Sequence, residues 1–117
     1  MAAAVENIVI EVGSRWERTA TVSKSGVPFP LTGYNARMMI REHYEDASPL
    51  VTLTSPSNGL TVNESAGTVD IVIKPSVTNG ITAKFGFYDL EVLVGTDEDS
   101  VYRVLRGAVT FSPQATH

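Results

Sequence analysis

The chain contains no cysteine, so it has no disulfide framework, no thiolate zinc site and no cysteine nucleophile, which removes several secreted and metal-dependent classes. Histidine is nearly as scarce. His43 lies in a loop-like stretch from Glu42 to Asp46, and His117 is terminal. Nucleophilic hydrolysis needs a base beside a Ser or Thr, and no recognisable motif sets a Ser or Asp near His43, which reads as a solvated loop residue. An enzyme is not expected, nor any cofactor. Positive charge is short too, with 9 Lys and Arg against 13 Asp and Glu and a formal charge of −4. That sign disfavours polyphosphate backbones, so nucleic acid is not an expected partner. No apolar run approaches the length of a membrane span, and Met1 to Gly13 lack the basic region and long apolar stretch of a signal peptide. A soluble, unprocessed chain is expected, with no membrane partner. The glycines are scattered as turn residues and build no phosphate-cradling loop.

What is present is β-branched residue, 33 of 117 positions as Val, Ile or Thr, and such side chains pack better on a pleated sheet than in a helix. The length suits one domain, 1–117, and 43% hydrophobic residues can fill its core. Period-two patterns predict strands over Asn7 to Val12 and Trp16 to Val22, with Ile8, Ile10, Val12 and then Trp16, Ala20, Val22 facing inward. Ser25 to Pro30 contains two prolines and reads as a loop. Tyr34 to Arg41 alternates cleanly, with Tyr34, Ala36, Met38 and Ile40 inward. Leu50 to Thr54 and Leu60 to Val62 are short strands that turn back at Asn58-Gly59. Thr68 to Lys74 is another strand, closed by Pro75. Only Ser76 to Lys84 suits a helix, of one turn at most. Phe87 to Val94 and Val101 to Phe111 are the longest strands, joined by an acidic hairpin tip, and read as antiparallel neighbours. Seven or eight such strands predict an all-β antiparallel sandwich, with a small closed barrel as the alternative.

Two acidic clusters, Glu42-Glu45-Asp46 and Asp97-Glu98-Asp99, offer oxygen ligands for a hard cation, but neither fits an EF-hand, and consecutive carboxylates on a loop ordinarily stay hydrated. No metal is expected. No cleft is indicated between paired carboxylates for glycoside hydrolysis. Trp16 shares the parity of Ala20 and Val22 and reads as a core anchor. Outward parity carries the more informative set. With the 34–41 strand beside the 87–94 strand, Arg37 and Arg41 face Asp89 and Glu91 across the ladder. Met39, Phe87 and Leu93 share that face, as do Tyr102 and Val104 if the last strand points Leu105, Val109 and Phe111 inward. Apolar side chains rimmed by Arg and acid are the composition of a protein contact surface. Exposed aromatics such as Phe29, Tyr44 or Tyr102 suit the alternative of a carbohydrate-binding module.

Gly86-Phe87-Tyr88-Asp89-Leu90-Glu91-Val92 resembles the penultimate strand of immunoglobulin-like domains, with Leu90 in place of the family's cysteine. That resemblance implies a buried Tyr88 whose hydroxyl bonds to nearby backbone. Further signatures occur in order: Trp16-Glu17-Arg18-Thr19, Gly26-Val27-Pro28, Leu31 to Met38, Ile40-Arg41, Asn58-Gly59-Leu60-Thr61, Gly67-Thr68-Val69, Tyr88-Asp89-Leu90-Glu91 and Val104 to Pro113. Together, over about residues 16–113, they resemble small tail- or particle-associated proteins of bacteriophage structural gene clusters. The resemblance implies a virion protein assembled in the host cytoplasm, with an immunoglobulin-like or baseplate-adaptor-like sandwich. Its expected partners are other tail, fibre or capsid proteins and copies of itself, in a baseplate, fibre-attachment or capsid-decoration role. The chain ends directly after the final strand, so an adaptor without a stalk is expected, and residues 1–6 form a candidate flexible arm.

Overall fold

A computed structural model of the chain describes residues 4–24 and 26–113. It is all-β with two main sheets. The larger sheet contains β6 (Tyr34–Arg41), β7 (Val51–Thr54), β10 (Phe85–Val94) and β11 (Tyr102–Ser112), in the order β11-β10-β6-β7, and β1 (Ala4–Val5) and β2 (Ile8–Glu11) both line the free edge of β11. The smaller sheet is β3 (Trp16–Thr21), β9 (Thr68–Ile73) and β8 (Leu60–Asn63), in the order β3-β9-β8. No ladder joins the two sheets among the described residues, so the closed barrel is not formed. Inward side chains of both, among them Met38, Ile40 and Leu90 from one and Ala20, Ile71 and Leu60 from the other, meet in a single core. Full burial of each Leu, Ile or Met there contributes about 1.5–3 kcal/mol.

The alternation expected for β6 is present, with Ala36, Met38 and Ile40 buried and Tyr34 partly so. Trp16 is half-buried and packs against the core. Other expectations need correction. The sheet is not purely antiparallel, because β1 and β2 run parallel to β11. Ala4 to Glu6 are therefore no free arm: Glu6 N donates to Arg106 O at 2.9 Å. The remainder of the expected arm, residues 1–3, lies outside the described residues. Within the segment expected to be a loop, β5 (Val27–Pro28) pairs with β4 (Ser23–Lys24) as a small hairpin, a terminal position where a proline is tolerated. The turn at Asn58-Gly59, where Gly59 has φ 90°, carries the chain from the larger sheet to the smaller one and closes no hairpin. One helical turn, α1 (Pro75–Thr78), falls near the expected region, and a 3-10 turn at Glu98–Ser100 occupies the acidic tip.

Candidate functional site

The outer face of the larger sheet is built from β10 flanked by β6 and β11. Side chains opposite one another across a ladder share a face, so the register sets rows. The lowest row is Val9, Thr110 and Phe85; the next is Ala108, Phe87 and Arg41. Above them run Val5, Arg106, Asp89 and Met39, then Arg103, Glu91 and Arg37. The face is thus apolar at one end and charged at the other. Its centre is a concavity of about 470 Å³ lined by Arg37, Met39, Arg41, Phe87, Asp89 and Arg103, with Tyr44 at its side.

Of the seven residues expected on this face, Arg37, Met39, Arg41 and Phe87 are there. Val104 and Tyr102 are not. The register shifts between Leu90 and Glu91, so that Leu90 faces Leu105 while Glu91 faces Arg103. Val104 is the extra residue of this bulge and is 7% exposed, within the core. Beyond it the parity inverts. Tyr102 stands opposite the fully buried Val92 and meets Phe29 edge-on at 6.3 Å. Leu93 has the expected parity but is only 5% exposed, at the end of the face where the Glu98–Ser100 turn folds back against β10. Asn35 Nδ2 donates to Gly95 O at 2.7 Å and Val94 N to Ser100 Oγ at 2.7 Å, which fixes that hairpin.

The charged rows form a network. Arg37 Nε donates to Glu91 at 2.9 Å, and its two terminal nitrogens donate to both oxygens of Glu98 at 2.8 Å. These bonds, to Glu98 first and Glu91 next, raise the Arg37 pKa further above its ordinary value and hold Glu98 below the usual carboxylate range. Arg103 is looser, 3.5 Å from Asp89 and 3.6 Å from Glu91. Burial, then repulsion from Glu91, pushes the Asp89 carboxyl up. Arg41 was expected opposite an acid but stands opposite Phe87, and it donates to Asp46 O at 2.7 Å and to Met39 Sδ at 3.2 Å. Tyr44 stacks on Phe87 at 4.4 Å and remains 61% exposed.

The remaining candidates lie elsewhere. His43 is an exposed loop residue whose backbone N–H bonds to Asp46, and His117 lies outside the described residues. Asp97 caps the 3-10 turn through Asp99 N, and Glu98 is taken by Arg37. No group of acidic or histidine side chains is poised to share a metal ion among the described residues. Of the aromatics considered for sugar stacking, Phe29 packs edge-on against Tyr34 and Tyr102, away from Tyr44. Tyr88 is buried, but its hydroxyl donates to the carbonyl of Glu6 at 2.7 Å, far from it in sequence, where nearby backbone was expected.

The sequence reading missed Val5, Val9, Phe85, Arg103 and Arg106, which belong to the same face. Phe85 was two residues before the expected strand, and only the bulge reveals Arg103. The outer face of the smaller sheet differs entirely. Its rows are Glu17 and Val72, then Thr19, Asp70 and Thr61, then Thr21, Thr68 and Asn63. Four of these side chains bond to one another: Asp70 accepts from Thr19 at 2.7 Å and from Asn63 at 3.1 Å, which lowers its pKa, and Asn63 also donates to Thr68 at 2.9 Å. No known protein-family profile matches the chain, and no curated protein is significantly similar to it.

Proposed function

We propose that the chain is a non-enzymatic structural component of a bacteriophage particle, an immunoglobulin-like assembly module that docks by the outer face of its larger sheet onto a neighbouring particle protein. The immunoglobulin-like reading is supported by the strand order, β11-β10-β6-β7 over β3-β9-β8, in which the chain crosses between the sheets from β2 to β3, from β7 to β8 and from β9 to β10. The particle assignment is supported by the ordered signatures across residues 16–113. Its work is tail, fibre-attachment or capsid-decoration assembly, with Arg37, Met39, Arg41 and Phe87 in the contact.

One observation carries the docking reading: the two outer faces have opposite character. The smaller sheet presents mostly polar groups, of which Thr19, Asp70, Asn63 and Thr68 bond to one another, beside Glu17 and Val72. The larger presents Val5, Val9, Phe85, Phe87, Tyr44 and Met39 beside four arginines. Apolar and aromatic side chains with Arg are enriched in protein contacts, and water gives no reason to keep them outside. Mass spectrometry of purified particles tests the assignment. The chain is expected in them, and a folded Met39→Ser/Phe87→Ser variant is expected to be lost from them; particles without the native chain would overturn it.

A further inference from the structure

The guanidinium groups on the larger face are unequally committed. Arg37 is fully occupied by Glu91 and Glu98. Arg41 bonds only to a carbonyl and a thioether, both neutral. Arg106 is exposed and has no carboxylate within ion-pair distance among the described residues, although its position is directly across from Asp89. Arg103 reaches its two carboxylates only at 3.5 and 3.6 Å, beyond a good charge-assisted bond. The rows of the face therefore hold four arginines against Asp89, Glu91 and the bonded Glu98, while Glu42, Glu45 and Asp46 flank it on one loop and Asp97 and Asp99 on another. What an acidic partner meets here is local: Arg41, Arg103 and Arg106 each lack a tight carboxylate bond among the described residues and can take one from outside.

Geometry narrows the partner. Arg41 on β6 and Arg106 on β11 are separated by β10 and offset by one row, roughly 12 Å between backbones from ordinary strand spacings. Between them lie Phe87, stacked on Tyr44, and Asp89, with Met39 beside Arg41, so the floor is apolar around Phe87 and Met39 and carries one carboxylate, 3.5 Å from Arg103. We propose that the occupant of this face is a protein segment carrying two carboxylates about that far apart, with an aromatic or aliphatic side chain between them. Its acids pair with Arg41 and with Arg106 or Arg103, and its apolar side chain rests on Phe87 and Tyr44. This rests on the docking reading above and adds the chemistry of the partner.

The test uses the full chain and three synthetic peptides in which a central Phe is flanked by Glu two residues away on each side, by Gln, or by Lys, with binding measured by calorimetry at low and high salt. The Glu peptide is expected to bind best, the Gln form about tenfold more weakly, and salt to erase the difference. Arg41→Gln and Arg106→Gln are each expected to weaken the Glu peptide about three- to fivefold, as for exposed ion pairs, while the solvent-facing Arg15→Gln leaves it unchanged. Arg106 is exposed, so its variant retains the fold, and Arg106→Lys is expected to restore most of the binding. Equal binding of the Gln or Lys peptide, insensitivity to both arginine variants, or no binding of any peptide overturns the proposal. Light scattering that shows a dimer of the isolated chain, abolished by Phe87→Ser, also overturns it, because the occupant is then a second copy. Loss of a Phe87 variant from particles without acidic preference in the peptides would leave docking intact and remove only the acidic assignment.

Discussion

Arg37 holds two carboxylates of unequal weight. Glu98 is at the solvent-facing tip, so its ion pair is screened and Glu98→Gln is expected to leave stability unchanged. Glu91 is different, its side chain only 15% exposed. Arg37→Ala strands that carboxylate beside a loose Arg103 and is expected to cost about 1–3 kcal/mol in chemical denaturation. Replacing both partners, Arg37→Met with Glu91→Met, is expected to recover most of the loss, since the penalty is that of a charge left alone. Tyr88 offers a second check. Burial, reinforced by the Glu6 charge, pushes its hydroxyl up to about 12 from 10.0. Above pH 10 the unfolded chain releases this proton before the folded one, so stability falls as the pH rises from about 10 to about 12. Tyr88→Phe is expected to flatten that fall. At neutral pH it costs about 1–2 kcal/mol, because the partly buried Glu6 carbonyl loses this donor.

At the scale of elements, the strands with regular alternation were legible and their partners were not. Tyr34, Ala36, Met38 and Ile40 can only face one way, and β6 does so. Tyr102-Arg103-Val104-Leu105 suits either parity, and the extra residue at Val104 is decided by its fit against β10, a contact distant in sequence. That one bulge exchanged Tyr102 and Val104 for Arg103 on the outer face of the larger sheet. The β1–β2 edge was hidden for the same reason, since nothing local to Ala4–Glu11 says which strand it lines. Its anchor is a cluster around Glu6. Arg18, inward on β3, pairs with the Glu6 carboxylate at 2.6 Å and ties the edges of both sheets together. Asn7 accepts from Ala108 N at 3.0 Å. Opposite them is Gly107, where a Cβ would collide with the Glu6 carbonyl. Gly107→Ala is therefore expected to cost about 1–3 kcal/mol and to speed amide hydrogen exchange across residues 4–12 more than in β6. Uniform exchange rates in that variant would show that the edge is not held this way.

For the whole molecule, the two sheets bury one core and divide the surface into a largely polar side and a side of Met, aromatics and arginine. The all-β class was legible from β-branched content and turn spacing. The face was legible only in part, because a sequence fixes parity within a strand but not what becomes buried, and Leu93 is buried at the end of β10 where the Glu98–Ser100 turn lies against it. The proposed docking requires one side to disappear from solvent on assembly while the other is spared. Hydroxyl-radical footprinting of the chain, free and within purified particles, measures this directly. Met39, Tyr44 and Phe87 are expected to be oxidised in the free chain and protected in the particle, with Val72 on the smaller sheet unchanged. Protection of Val72 with Met39 and Phe87 still reactive would contradict the account.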